Sequence, residues 1–593
     1  MTSRHFCTEA EIQEIVTKCD SDNELFDFSD SDASDSNDSD SDDSSPDIRS
    51  TAQPSTSSDK IQLSRDPTCE TFDSSTNQES SSEDEMSAKR AKGEFYWTTN
   101  DFHPFIHPHD ETSGRKRTEG NETTILSFFM LFFTEELMKY IADETNKFFE
   151  YTMENTPESM HSRISKWKET NFQELYCFIA VCLLMARVKK LKISEYWSKD
   201  ILLNTPVFSD LISRDRFLIL LRMLHFSDNS MNTGGDSLFK IRTIIDKIRA
   251  AFGNALQPSQ KLCIDESLLL FKGRLSFKQY IPSKRSRFGI KTFVLCDCQT
   301  GFVLDFIVYT GATTDIELHN LGKSGDIVAT LLKPYLGRGH TLYVDNWYAS
   351  PDLFLWLHEH ATNACGTVRR NRRNMPKLEK KLKRGEMQSM SSDTMLGMKW
   401  CDKREVWMLT TCNTAEMIET NKVNRMTGEK IRNPQCVVDY NTSMGAVDRS
   451  DMILSSIQSV RKSVKWYKKF FFHILDLCVL NSHALHKLET GQNIPMAKFQ
   501  LSLIRELIKK FSTERRKAGR GRRSEDENVL RFTGRHFPNL IPGDQSKKKS
   551  PRRRCVVCAK QNKRRETKYE CKACNVALCA APCFEIFHTK KKY

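Results

Sequence analysis

No stretch of the 593-residue chain is apolar for long enough to cross a bilayer. The longest uncharged apolar runs, at 126–133 and 175–186, fall short of the ~20 residues that a membrane helix needs. A secretory signal is also missing, because the front of the chain is acidic and polar, so the protein is expected inside the cell in a reducing compartment. Large apolar residues are scarce for this length, at 38% hydrophobic, and the shortage lies mostly in the first 95 positions. There the sequence runs through Ser, Asp and Glu, with SDSDASDSNDSDSDDSSPD at the extreme, and cannot bury a core. This segment reads as disordered: its serines before acidic residues are suited to acidophilic kinases, or it is a solubilising tail. Evenly paired cysteines are lacking as well. Of 19 cysteines, 13 are scattered and six crowd into the last 39 residues, which argues against a disulfide framework and for metal binding at that end.

What is present is positive charge and length. The formal net of +12 hides an uneven split, since residues 1–86 hold 23 acidic against 5 basic side chains. Subtracting that segment leaves 84 basic and 54 acidic residues, a net near +30 on a body that therefore suits a polyanionic partner. At this length several units are expected. After a linker at 96–124, helical periodicity fills 125–257: Thr134 caps a turn with Leu137, Ile141 and Phe148 inward, and 172–186 is apolar nearly all round. Leu238, Ile241, Ile245, Ile248 and Phe252 keep helical spacing, with Gly253 as the stop. At Lys261 the period switches, and 258–370 reads as three strands, helix, strand, helix, strand, a mixed α/β sheet. A basic, polar insertion with a hairpin (395–400 and 405–409) occupies 371–433, one further helix of the α/β unit 434–455, and more helix 456–530. A basic linker at 531–552 leads to a cysteine-rich end at 553–593.

Three carboxylates stand out by placement. Asp345 ends the short strand of HTLYVDNWYAS, with Ser350-Pro351 capping the helix that follows, and strand ends of this kind face crevices. Asp265 lies in the first strand of the unit, and Asp448 and Asp451 sit three apart on one face of a later helix. If these converge, their mutual repulsion demands divalent cations, and Mg²⁺ or Mn²⁺ with oxygen ligands suit phosphoryl transfer.

The blocks CIDESLLLFKG, YVDNWYAS, CGTVRRN and MGAVDRSDM, in this order, resemble the signature blocks of the piggyBac transposase family. The similarity runs from FFTEEL near residue 132 to the end of the chain. It implies an RNase H-like DDE/D catalytic core with an insertion domain, a discontinuous helical dimerisation and DNA-binding domain, and a RING/PHD-like zinc finger. Asp265, Asp345 and Asp448 match the family's triad, and Asp451 its additional acidic residue. The implied activity is metal-dependent excision of an element at TTAA sites, through DNA hairpins, and joining into TTAA target DNA by a homodimer, with the nucleus as the expected location. A domesticated DNA-binding protein that keeps the fold without transposing is the other reading.

Around the triad, Asn346 and Ser350 are candidates to bond phosphates, with helix capping as the plainer role for Ser350. Lys284, Arg285 and Arg287 after the first strand, and Arg369, Arg370, Arg372 and Arg373 after the fifth, are candidates for the DNA backbone. Trp466, among Lys462, Lys465, Lys468 and Lys469, is a candidate to stack on an unpaired base, or a core tryptophan. In the tail, Cys555, Cys558, Cys571, Cys574, Cys579, Cys583 and His588 give seven zinc ligands where two full sites need eight. By the family's crossed order, the first pair shares an ion with Cys579 and Cys583, and the second pair holds His588 plus a water or an outside ligand. Ubiquitin-ligase and histone-reader roles share such spacing, but the flanking KKKSPRRR favours DNA.

Overall fold

The computed structural model describes residues 95–116, 123–155, 167–282, 287–423, 428–459, 463, 465–512, 535–542 and 551–590. The acidic segment to residue 94, Lys284, Arg285, Lys462, the end of the second helical stretch at 513–530, and residues 531–534 and 543–550 of the basic linker lie outside them. The chain divides into two compact units, up to Thr513 and from Glu514 onward.

The first unit is built on one mixed sheet. Its core strands are β1 (Lys261–Leu270), β2 (Phe288–Asp297), β3 (Val303–Val308), β4 (Thr341–Val344) and β5 (Asn363–Thr367). They lie in the order β3-β2-β1-β4-β5: β1, β2 and β3 are antiparallel neighbours, while β4 and β5 run parallel to β1. This is the RNase H-like arrangement that the resemblance implied. The strands read as they pack, since β4 (Thr-Leu-Tyr-Val) is buried at every position and β2 at nearly every one, as expected for strands covered on both faces. The β2–β3 hairpin turns at Gly301, whose φ of +72° suits glycine.

The hairpin of the insertion does not stand apart. Its strands β6 (Met387–Ser391), β7 (Leu396–Cys401) and β8 (Glu405–Thr410) continue the same sheet, because β8 pairs antiparallel with β5 through Met408 and Thr367. Within the insertion's described residues, the ribbon of Met417–Val423 and Lys430–Pro434 forms a separate pair.

Helices on both sides of the sheet in sequence join into one layer. Helix α1 (Phe172–Arg187) is buried around its whole circumference and packs on α7 (Met496–Phe511), with Tyr176 stacked on Phe511 at 4.1 Å. Thr134 caps the next helix through Leu137 N–H at 3.1 Å, as the sequence reading expects. Helix α2 (Arg242–Ala255) runs two residues past Gly253, which therefore is not its stop. Arg249 on α2 grips Asp305 of β3 with two parallel hydrogen bonds of 2.6 and 2.8 Å. Asn481 on α6 (Trp466–Thr490) pairs with both the N–H and the carbonyl of Val303. These buried polar contacts fix the helical layer against β3. Three further helices of this unit are α3 (Gly322–Leu332), α4 (Pro351–Glu359) and α5 (Ala446–Ile457).

Residues 95–116, read from sequence as part of a linker, are instead a docked strap. Thr98 pairs with Ser391 on the edge strand β6, Asn363 exchanges two hydrogen bonds with His107, and Gly114–Arg115 pairs with Leu256–Gln257. The strap crosses from the sheet edge to the helical layer by backbone contacts that periodicity cannot reveal.

Candidate functional site

Strand register brings the first two carboxylates side by side. Ile264 of β1 pairs with Val344 of β4 in parallel, so the next residues, Asp265 and Asp345, leave neighbouring strands at the same level. Asp345 stands where β4 ends, and its loop is tightly folded: Trp347 N–H donates to its carboxylate at 2.9 Å, and Tyr348 and Ala349 N–H donate to its carbonyl. Tyr348 is fully buried and anchors the turn. Ser350 caps α4 by accepting from Leu353 N–H at 3.2 Å, so its hydroxyl serves the helix.

The third carboxylate arrives on α5, which packs against β1 and β2. Asp451 accepts from Ser267 Oγ at 2.7 Å, and Ser267 shares a face of β1 with Asp265 because strand side chains repeat every two residues. Arg449 donates to the Cys298 carbonyl and Ser450 to that of Gly301, tying α5 to the β2–β3 turn. Asp448, exposed in the first turn of α5, lies one turn before Asp451 over the same face. The carboxylate oxygens of Asp265, Asp345 and Asp448 do not all approach within 4.8 Å of one another.

Burial pushes the Asp345 carboxyl above the usual range; the N–H of Trp347 opposes this and the charge of Glu266 adds to it. A half-buried carboxylate beside like charge fits a site that takes cations. Glu266 in turn pairs with Lys291 at 3.7 Å, and Lys291 lies over the rings of Phe293 and Trp347 at 4.8 and 4.9 Å. Sequence reading missed Lys291, which carries no motif and is placed only by the pairing of Ser267 with Thr292 and Leu268 with Lys291.

The predicted DNA contacts separate into two groups. Arg369, Arg370 and Arg373 are exposed beside the crevice. Arg372 is not available in the same way: it donates to the carbonyls of Asn346 and Trp347, while Arg369 reaches the Asn346 side chain at 3.3 Å. Asn346, Arg369 and Arg372 thus brace the loop after Asp345. Arg287 is exposed at the start of β2, and Lys284 and Arg285 lie outside the described residues. Trp466 packs edge-on against Phe277 at 5.3 Å. Of the lysines around it, Lys468 is buried and donates to the Leu221 and Arg222 carbonyls. Burial lowers Lys468 to about 7 and Lys469 to about 8, so the surface there is less cationic than the sequence suggests.

In the second unit, ligand atoms gather into two groups, each within 4.8 Å: Cys555, Cys558, Cys579 and Cys583, and His536, Cys571, Cys574 and His588. The crossed order is present. The eighth position, expected to be filled by a water or an outside group, is taken by the His536 imidazole, whose Nδ1 lies 3.4 Å from Cys571 Sγ and 3.5 Å from Cys574 Sγ and could serve as a ligand. His588 turns Nε2 toward Cys574 while Nδ1 bonds the Phe584 carbonyl at 2.7 Å, the outer contact that orients a ligating imidazole. Four thiolates, or two thiolates and two imidazoles, suit tetrahedral zinc.

Comparison with known proteins agrees with this geometry. The family profile described as Transposase IS4 matches residues 125–483, and that of a DDE_Tnp_1-like zinc finger matches 536–589, a span that begins at His536. Human PiggyBac transposable element-derived protein 2 is 24% identical over 78% of this chain and 75% of its own length. Human PiggyBac transposable element-derived protein 3 is 23% identical over 70% of each. Among solved structures, the cryo-EM structure of a piggyBac transposase synaptic complex with hairpin DNA aligns with a TM-score of 0.63 and 26% identity, covering 79% of this chain and 98% of that one.

Proposed function

The chain belongs to the piggyBac transposase family, and on that premise we propose that it is a metal-dependent DNA transposase acting at TTAA sites. The observation that carries the reading is the level placement of Asp265 and Asp345 on adjacent parallel strands, with α5 bringing Asp448 and Asp451 over the same face of β1.

Asp265, Asp345 and Asp448 are the residues that would hold Mg²⁺ or Mn²⁺, which when bound activates the attacking oxygen and steadies the leaving one in phosphoryl transfer. The chain's own part is positioning. Two strands and a helix fix the carboxylates, Asp451 locks α5 to Ser267, and the braced loop of Asn346 and Arg372 keeps Asp345 at the crevice. Arg369, Arg370, Arg373 and Arg287 supply positive charge for the phosphate backbone, which orients the scissile bond without reading sequence. The proposed course needs no covalent protein intermediate: water makes the first nick and the freed 3′-hydroxyl attacks next. The proposed working form is a nuclear homodimer, with the zinc-binding second unit engaging the element's terminal DNA.

A donor plasmid carrying the element's own ends, flanked by TTAA, tests this by excision and rejoining. Asp265→Asn, Asp345→Asn and Asp448→Asn should each lower cleavage by roughly two orders of magnitude or more, because metal contacts are worth several kcal/mol in the transition state, and should bind DNA as before. Cutting by all three variants at the wild-type rate removes the triad assignment. The relatives named as element-derived proteins keep a second reading in play, a DNA-binding protein that no longer transposes. Tight end-binding with no excision by the wild-type chain would establish it.

A further inference from the structure

We infer that the chain has a pocket for one unpaired nucleobase, built beside the carboxylates by the strands that the insertion adds to the sheet. A cavity of about 520 Å³ lies there, within the ~300–1,000 Å³ range of small-ligand sites. Met408 and Val437 make it apolar at depth, Trp400 and Tyr440 supply aromatic surface, and exposed Lys403 and Arg404 stand at its rim.

Its place follows from register. Val344 pairs with Gly366 in parallel, so Asp345 and Thr367, the next residues, are level on adjacent strands. Thr367 pairs with Met408 on β8, and Val406, two residues back, pairs with Trp400 on β7. Asp265, Asp345, Thr367 and Met408 therefore form one row across four neighbouring strands, and strands lie ~4.8 Å apart. Thr367 lines the cavity, so its near wall is one strand spacing from Asp345. Tyr440 closes that wall, its hydroxyl 3.5 Å from Thr367 Oγ1. Burial first, and then the negative charges of Asp345 and Asp265, raise the Tyr440 phenol above its ordinary value.

The chemistry selects the occupant. Aromatic and apolar walls of this size take a flat heterocycle, and the rim cations take the phosphate attached to it, while Asp402 at the rim is already paired with Arg384. A paired base cannot enter, since chemistry and recognition on a single base require it to leave the stack. The occupant is thus an unpaired base of the DNA held at the carboxylates. This rests on the transposase reading for the DNA's arrival, but not on cleavage.

The test is photo-crosslinking with the full-length protein, on ice and without added Mg²⁺ or Mn²⁺. The probe is a DNA duplex with a single bulged 5-iodouracil, and its control is the fully paired duplex. The expected crosslink maps by mass spectrometry to the peptide of Trp400 or of Tyr440, from the bulged probe alone. The bulged duplex should also bind more tightly than the paired one, by about 5- to 100-fold if one base stacks. Tyr440→Ala should remove that preference and Tyr440→Phe should keep it. If Tyr440→Ala does not fold, Lys403→Ala with Arg404→Ala, both exposed, should reduce binding of the bulged probe more than of the paired one. A crosslink elsewhere, equal crosslinking from paired DNA, or an unchanged preference in the rim variants overturns the pocket. The two readings fail separately: full cutting by Asp345→Asn removes the triad and leaves a Tyr440 crosslink standing, whereas a misplaced crosslink with cutting abolished in Asp345→Asn removes the pocket alone.

Discussion

His536 stands nineteen positions before Cys555, in the sequence Arg-His-Phe-Pro, and nothing in that spacing marks it as a ligand. Zinc motifs are legible when two ligands lie on one turn, as in Cys555-x2-Cys558 and Cys571-x2-Cys574, because the local chain alone sets their separation. His536 joins the second site only through strand pairing, Pro538 with Cys571, which sets the preceding imidazole against the thiols. The same distinction explains Arg372, whose charge was legible but whose use inside the chain was not. The full-length protein is expected to hold two zinc ions. His536→Ala should leave one firmly bound and a second that a chelator removes more readily, because the four-cysteine group is untouched. Metal analysis after graded chelation measures this, and equal retention of both ions by the variant would exclude His536 as a ligand. Cys555→Ser should instead weaken the other ion and, with so few large apolar residues to support that unit, unfold it.

At the level of elements, most of the architecture could be read from periodicity. The all-buried β4, the all-round apolar α1 and the cap at Thr134 each declare themselves in a few residues. What stayed hidden was set by partners remote in sequence: the insertion hairpin joining the main sheet, and the strap along its edge. The strap now permits its own prediction. Gly339 has φ of +69°, and an added Cβ would meet the Pro108 carbonyl oxygen at 1.7 Å, so Gly339→Ala should lift this stretch and cost about 1–3 kcal/mol. The strap also sets histidines in pairs, with His107 Nε2 3.2 Å from His358 Nδ1 and the His109 ring tilted against His340 at 4.5 Å. Burial first, and then the neighbouring imidazole, lowers His107; burial lowers His358; and burial with His109 lowers His340 to about 4. The sign follows from linkage. Groups that resist protonation when docked favour docking fully above their ordinary value near 6.5, and lose that contribution as pH falls below it, when the detached strap takes up protons that the docked one refuses. Hydrogen exchange of residues 95–116 should therefore speed up relative to the sheet between about pH 7 and 5. His107→Asn together with His358→Asn should lessen that dependence and leave the part due to His340, and exchange that follows only the intrinsic chemical rate would count against it.

At the scale of the whole molecule, charge is divided between segments in a way the formal net of +12 conceals. The first 86 residues carry 23 acidic and 5 basic side chains, an excess of 18 negative charges, ahead of a body near +30. The exposed arginines beside the carboxylates, Arg369, Arg370 and Arg373, belong to that body, and DNA phosphates and acidic side chains are competing partners for the same cations. An acidic segment tied to the body by its own chain is present at a high effective concentration whatever the protein concentration, so its competition does not dilute away. Removing residues 1–86 should consequently tighten DNA binding most at low salt, where screening is weakest. The difference should shrink as ionic strength rises, because each Lys or Arg contact with phosphate is itself weakened by salt. Phosphorylation of the serines that precede acidic residues should act in the opposite direction, adding about 1.5–2 negative charges per site and weakening binding further. Titration of one DNA duplex against full-length, truncated and kinase-treated protein at two salt concentrations separates these effects. The expected order of affinity at low salt is truncated, then full-length, then phosphorylated, with the three converging at high salt. Equal affinities at low salt would show that the acidic segment does not compete for the basic body at all.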